Sequence, residues 1–342
     1  MLPLIAVIAM SAVLVGRDEM SEVTPHVAAP LPTQAAPVRV AHVTPVATTI
    51  AVPEAPAAQP GVAFDGLETR MRQATEQAAA VGAVISVAVL DRATRRLVTN
   101  GNASTIPTAS VAKLFIADDL LMRAPQPQSA AEPVQPLAGT DPFQAQPPIG
   151  VPEPAGTAPQ TVASGALSPA DRAQLDAMLR SSDDGAAQTF WDRDGGNAII
   201  NRVAARYGLG ATTPPYDGAW WNTITTAPDL VRYYDMLLDG AGGLPMDKAN
   251  IILGDLAQST PSGLDGYPQR FGIPEGLYGE PVAVKQGWMC CIGNKWMHLS
   301  TGVIGADRRY VMAIESMQPS DDATARATIT RAVKTMFPDG RV

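Results

Sequence analysis

Pro107-Thr108-Ala109-Ser110-Val111-Ala112-Lys113-Leu114-Phe115-Ile116-Ala117-Asp118-Asp119-Leu120-Leu121 reads as a short turn running into a mostly apolar helix, with Ser110 in its first turn. Residues three apart on a helix share a face, so Lys113 stands over Ser110. A serine hydroxyl becomes a good nucleophile when a neighbouring group takes its proton, and a desolvated lysine amine does this. A helix start adds free backbone N–H groups and positive potential, which favour an oxyanion formed there. The stretch therefore supplies the first half of an acyl-transfer site. Taken alone, it also fits an ordinary helix start with a serine near the cap and a solvated lysine.

Two further motifs follow downstream. Lys113 is the only lysine with a serine three residues before it. Ser182-Asp183-Asp184 comes next, and then Lys285-Gln286-Gly287, the only Lys-x-Gly of the chain. In kind and order these resemble the Ser-x-x-Lys, Ser-Asp-Asn and Lys-Thr-Gly set of class A β-lactamases and penicillin-binding proteins. The resemblance runs from about residue 64 to residue 337 and so covers the whole globular part.

The pattern of elements agrees with that family's architecture. An amphipathic helix over 66–80 places Leu67, Met71, Ala74 and Ala78 on one face. Strands over 82–91 and 95–98 form a hairpin, and the Ser110 helix then ends near Arg123. A helical block follows. It begins at Ser168, a cap with Pro169 at the first helical position, continues from Ser182 and over 197–207, and ends near Asp239. Strands over 282–289, 296–304 and 309–317 make a meander, and Ser320-Asp321-Asp322 caps a last helix to Phe337. The prediction is an α+β fold: a five-stranded antiparallel sheet flanked by terminal helices, with an all-helical subdomain inserted between strands two and three.

The resemblance assigns roles to particular residues. Ser110 is the nucleophile and Lys113 the general base, kept neutral by burial and nearby positive charge. Lys285 supplies that charge and helps hold a substrate carboxylate. Ser182 relays protons between the two lysines and the leaving group. The backbone N–H groups of Ser110 and Trp288 form the oxyanion hole. Asp184, Gln286, Gly287 and Trp288 are expected at the substrate, Gly287 bare because substrate lies against its strand.

Three departures alter the expected chemistry. Asp184 stands where the family has asparagine, and as an acceptor-only carboxylate near Lys113 it would hold that lysine charged. Gln286 replaces a threonine whose hydroxyl binds substrate carboxylate. Class A enzymes also use a loop glutamate to activate the deacylating water. Here no glutamate occurs between Glu153 and Glu275. Asp217, with Tyr216, Trp220 and Trp221 around it, is the one carboxylate of the shortened 211–222 loop and reads as structural. The resemblance thus implies an exported serine hydrolase that forms a Ser110 acyl-enzyme with β-lactams or D-alanyl peptides and releases it slowly. The competing reading is an inactive module of the same fold that binds cell-wall peptides or a protein partner.

The rest of the 342-residue chain bounds the problem. A net charge of −8 gives no basic footprint for nucleic acid. Residues 1–16 form an uncharged apolar run that suits a signal peptide or membrane anchor, although no Lys or Arg precedes it and no Ala-x-Ala follows. Residues 17–62, rich in Pro and Ala, read as a disordered linker in which His26 and His42 are solvated. Within the 63–337 domain, residues 124–165 read as a disordered insertion near the nucleophile helix. No metal or other cofactor is implied. Cys290 and Cys291, the only cysteines, are expected as one buried and one partly exposed thiol, a ring between adjacent cysteines being uncommon.

Overall fold

The computed structural model describes residues 64–124 and 167–342. The N-terminal apolar run, the Pro/Ala-rich linker and nearly all of the 124–165 insertion lie outside the described residues.

The chain runs α1 (Leu67–Ala80), β1 (Val84–Asp91), β2 (Arg96–Thr99), β3 (Ile106–Pro107) and α2 (Ala112–Arg123). The inserted block holds α3 (Pro169–Arg180), α4 (Asp184–Asp194), α5 (Asn197–Tyr207), β4 (Ile224–Thr225), α6 (Ala227–Asp239), α7 (Met246–Leu256) and the short α8 (Ile273–Gly276). Strands β5 (Val282–Ile292), β6 (Lys295–Ile304) and β7 (Tyr310–Gln318) and helix α9 (Asp322–Met336) complete the fold. The main sheet has the order β2-β1-β7-β6-β5 and every pairing is antiparallel. This is the expected α+β fold.

Alternation along the strands divides the interior in two, because successive side chains of a strand face opposite sides of the sheet. Ala88, Leu299, Val311 and Ala313 face the helical block, where they join Phe115, Phe190, Tyr233 and Leu253 in one core. Val87, Val89, Met312 and Ile314 face α1 and α9, with Leu67, Met71, Ile329 and Val333. In α1 the buried residues are Leu67, Met71, Ala74 and Ala78, the single stripe that the helical period requires.

Local chemistry sets the helix ends. Ser168 Oγ accepts from the Asp171 N–H at 3.0 Å, with Pro169 in the first turn. Asp183 caps α4, and Asp321 caps α9. Gly208 closes α5 at φ 61°, a left-handed position that glycine takes without a Cβ penalty.

Three features depart from the sequence reading. Helix α7 was not expected, and neither was the two-residue ladder that pairs Ile106 with Thr225 and Pro107 with Ile224. Strand β5 also runs on to Ile292, through a register shift between Met289 and Ile292. That bulge carries Cys290 and Cys291, the latter at φ 67°. It turns both side chains outward, so both thiols are exposed, with their sulfurs 2.6 Å apart. The expectation of one buried thiol is corrected accordingly. Among the described residues no helix is long and apolar enough to cross a membrane.

Candidate active site

Helix α2 is preceded by a 3-10 turn, Ala109–Val111, that carries Ser110. Ala109 takes φ 44°, a left-handed conformation unfavourable for a residue with a Cβ. The turn is fixed from two directions. The Thr108 N–H donates to the Thr223 carbonyl at 2.7 Å, next to the β3–β4 ladder. On the other side, β5 packs directly against the turn at Gly287. A Cβ there would lie 2.5 Å from the Thr108 carbonyl oxygen and 3.3 Å from Val111. The bare backbone of Gly287 is therefore needed to seat the nucleophile turn on the strand. This is a reason for glycine beside the expected one of leaving room for substrate.

Four of the predicted residues meet at this turn. Lys113, on the first turn of α2, donates through Nζ to Ser110 Oγ at 2.7 Å. The same amine is 2.8 Å from the Ser182 carbonyl and 3.1 Å from Ser182 Oγ. Lys285 Nζ reaches Ser182 Oγ at 2.9 Å and its other partner is the Gln286 carbonyl, at 3.3 Å. Ser182 takes φ 59° between α3 and α4. The cap of α4 is Asp183, whose carboxylate accepts from Gly185 and Ala186. Ser182 is thus left facing the lysines, bridging two amines with one hydroxyl.

Burial governs the electrostatics. Lys113 is fully buried and Lys285 is 1% exposed. Desolvation pushes the Lys113 amine below the ordinary lysine range, while Asp184 pulls it back up. Lys285 is driven well below that range, first by burial and then by the charge of Lys113. Asp184 Oδ1 is 2.5 Å from Lys113 Nζ and its side chain is 70% exposed, so this carboxylate stands at the rim and reaches inward. The ring of Trp220 lies 4.8 Å from the same nitrogen and adds a cation–π attraction for the charged form. Two influences therefore hold a proton on Lys113 against the pull of burial.

Other predicted residues lie elsewhere. Gln286, between Lys285 and Gly287, points to the opposite face of β5. Its amide donates to the Gln269 carbonyl at 3.0 Å and the Phe271 carbonyl at 2.5 Å, and the side chain is buried. The expectation that it meets substrate carboxylate is corrected: strand alternation sends residue 286 into the α1/α9 side. Lys285, also buried, is engaged by Ser182 Oγ and the Gln286 carbonyl. Asp217 accepts from the Ala219 N–H at 3.1 Å and from the Asn222 amide at 2.7 Å, which holds its own turn in shape.

A cavity of about 200 Å³ opens beside Ser110. Trp220, Trp221, Trp288, Asp184 and Asp265 contribute to its wall. Trp288, expected here for its N–H, is among the residues beside the cavity, while its ring stacks at 4.5 Å on Tyr267 and packs toward the α1/α9 side, as strand alternation requires. Tyr267 is tied in turn to His298, at 2.7 Å, and to Asp322. The contribution of Asp265 was missed, since a lone aspartate in a Gly-rich turn carries no motif.

No protein-family model matches the chain. Its sequence is 61% identical over 293 residues to proteins named "Putative lipoprotein LppW" of Mycobacterium tuberculosis and Mycobacterium bovis, covering 86% of this chain and 82% of theirs. Solved structures share the fold at low identity. The class A β-lactamase of Mycobacterium abscessus is 20% identical with a TM-score of 0.55, over 79% of this chain and 98% of that one. The TLA-3 extended-spectrum β-lactamase is 13% identical with a TM-score of 0.57, over 80% and 99%. PBP-A, solved as an acyl-enzyme complex with penicillin G, is 18% identical with a TM-score of 0.55, over 81% and 96%. On the sequence match, with the fold of the class A β-lactamases beneath it, the chain belongs to the LppW family.

Proposed function

We propose that this protein is an exported serine hydrolase that forms an acyl-enzyme on Ser110 and releases it slowly. The observation carrying the reading is one hydrogen-bonded chain, Ser110–Lys113–Ser182–Lys285, at the edge of a cavity. In its neutral form Lys113 takes the Ser110 proton as Oγ bonds to the carbonyl carbon of an amide or lactam donor. The carbon–nitrogen bond then breaks, and the leaving nitrogen receives a proton through Ser182, whose hydroxyl touches both amines. The N–H groups of Ser110 and Trp288 receive the oxyanion. β-Lactams and D-alanyl peptides are the donors this chemistry suits. With no glutamate in the 211–222 loop and Asp217 engaged in its own turn, activation of the deacylating water is the weak step. Export is supported by the apolar run over 1–16 and by the lipoprotein designation in the name of the LppW relatives.

A specific observation favours a second reading, in which the domain binds cell-wall peptides or a protein partner without catalysis: the Asp184 carboxylate at 2.5 Å from the proposed base. Intact mass after incubation with a fluorescent penicillin and with a fluorophosphonate separates the two. The hydrolase gives an adduct that is absent in Ser110→Ala and that decays over many minutes. No adduct with either reagent after prolonged exposure refutes the acyl-enzyme and leaves the binding module.

A further inference from the structure

The fold, and not adjacency alone, brings together the two cysteines at the end of β5. In a regular strand neighbouring side chains point to opposite faces, which would hold the thiols of Cys290 and Cys291 apart. Here Met289 pairs with Met297 and Ile292 with Lys295, so both cysteines stand opposite the single residue Trp296. Two residues against one is a β-bulge, a device that re-aims side chains. Cys291 completes it at φ 67°, a left-handed conformation that a residue with a Cβ seldom takes. The sulfurs consequently lie 2.6 Å apart, both thiols are exposed, and neither has another partner among the described residues.

We propose that Cys290 and Cys291 form a reversible redox site, a dithiol that closes to a disulfide ring by exchange with a small-molecule disulfide and is reopened by small thiols. The site stands whether or not Ser110 forms an acyl-enzyme.

The exchange balances with no further reactant. One cysteine, as its thiolate, attacks a sulfur of the external disulfide R–S–S–R. That S–S bond breaks, one R–S⁻ leaves, and a mixed disulfide forms on the protein. The second cysteine gives up its proton and attacks the bonded cysteine sulfur, which closes the Cys290–Cys291 bond and releases the other R–S⁻. The two cysteine protons end on the two departing thiolates. The protein has then lost two protons and two electrons, and R–S–S–R has become two R–SH. The second step is intramolecular and fast, because the bulge holds the two sulfurs side by side beforehand.

Reversibility follows from the same placement. Adjacent Cα atoms lie about 3.8 Å apart, below the usual disulfide span of about 4.4–6.8 Å, so the closed ring is strained and readily reduced. So small a loop also removes less freedom from the unfolded chain than a long one does, and the bond adds correspondingly little stability. Exposure gives small disulfides and thiols direct access to both sulfurs. These properties suit exchange and not a structural staple.

The test uses the full chain, reduced and freed of reductant, with oxidised glutathione as the disulfide. The chain has only these two cysteines, so intact mass and iodoacetamide counting read the site directly. The wild-type protein is expected to lose two hydrogens and to pass from two alkylated thiols to none, and millimolar reduced glutathione is expected to restore both. Cys290→Ser and Cys291→Ser are each expected to stop at the mixed disulfide, one glutathione heavier. Decay of the mixed disulfide to the ring is expected to be about tenfold or more faster in the folded protein than in urea, where no bulge aligns the sulfurs. In the wild-type protein, no reaction, a mixed disulfide that persists, or a disulfide-linked dimer overturns the proposal. So does a ring that reduced glutathione leaves intact, or one that closes as fast in urea as in the folded protein.

Discussion

Replacing Asp184 with asparagine removes the influence that most directly opposes Lys113 as a base. With Oδ1 2.5 Å from Nζ, the attraction is about 1.7 kcal/mol at the dielectric of water and about 6.6 kcal/mol at an effective dielectric of about 20. The carboxylate side chain is 70% exposed, which favours the lower figure. The sign follows from which form the anion stabilises: Asp184 favours the ammonium, so its loss lowers the Lys113 pKa and enlarges the neutral fraction. Below that pKa the neutral amine becomes more abundant, and acylation of Ser110 should accelerate, by less than the gain in neutral amine because the amine is then also a weaker base. The assay is the second-order rate of fluorophosphonate or penicillin labelling, by intact mass, across pH. In Asp184→Asn the rising acid limb should move toward lower pH. An unmoved limb, or slower labelling at every pH, would refute the assignment of Lys113 as the base that Asp184 restrains.

Three further outcomes follow from the same structure. Gly287→Ala places a Cβ 2.5 Å from the Thr108 carbonyl, so β5 must shift from the Ser110 turn. Thermal unfolding should show a loss of about 1–3 kcal/mol together with slowed acylation, and an unchanged Tm would mean that the turn yields freely. Asp118, fully buried, joins α2 to α5 and α6 through Arg206, the Tyr207 hydroxyl at 2.5 Å and the Tyr233 hydroxyl at 3.4 Å. Asp118→Ala leaves Arg206 with the Gly242 carbonyl and no carboxylate, and should cost about 3–5 kcal/mol by urea denaturation, whereas a cost below about 1 kcal/mol would show that the cluster is not holding these helices together. His298 is brought down to about 4 by burial, against the pull of Asp322. Between the ordinary value near 6.5 and about 4 the unfolded chain binds the extra proton. Stability should therefore be full above that window and fall as pH drops through it, with the slope diminished in His298→Gln; an undiminished slope assigns the acid sensitivity elsewhere.

The fold was legible because its signals are local and periodic. Leu67, Met71, Ala74 and Ala78 repeat at helical spacing, and the runs over 282–289, 296–304 and 309–317 alternate as strands do; each pattern needs only its own residues. Caps were legible for the same reason, as at Ser168-Pro169. What escaped was whatever depends on a partner distant in sequence. The β3–β4 ladder joins residues 106–107 to residues 224–225, two dipeptides without any signal of their own. Asp118 and Asp119 look like surface charges in an apolar helix, yet both are buried because Arg206 and Arg202 arrive from α5.

The candidate site divides along the same line. Spacing alone placed Lys113 over Ser110, since one helical turn does that regardless of the rest of the chain. The order of the motifs brought forward Ser182 and Lys285 as its companions. Only the tertiary structure decided which way each side chain faces and what surrounds it. Strand alternation sends Gln286 to the far side of the sheet and leaves Gly287 against the Thr108 carbonyl. Packing buries both amines and brings Trp220, Trp221, Asp184 and Asp265 to the cavity beside Ser110. Short-range geometry is written in the chain because it is set by bonds and helical pitch. Burial and proton affinity are sums over residues that meet only when the sheet and the helical block close on each other.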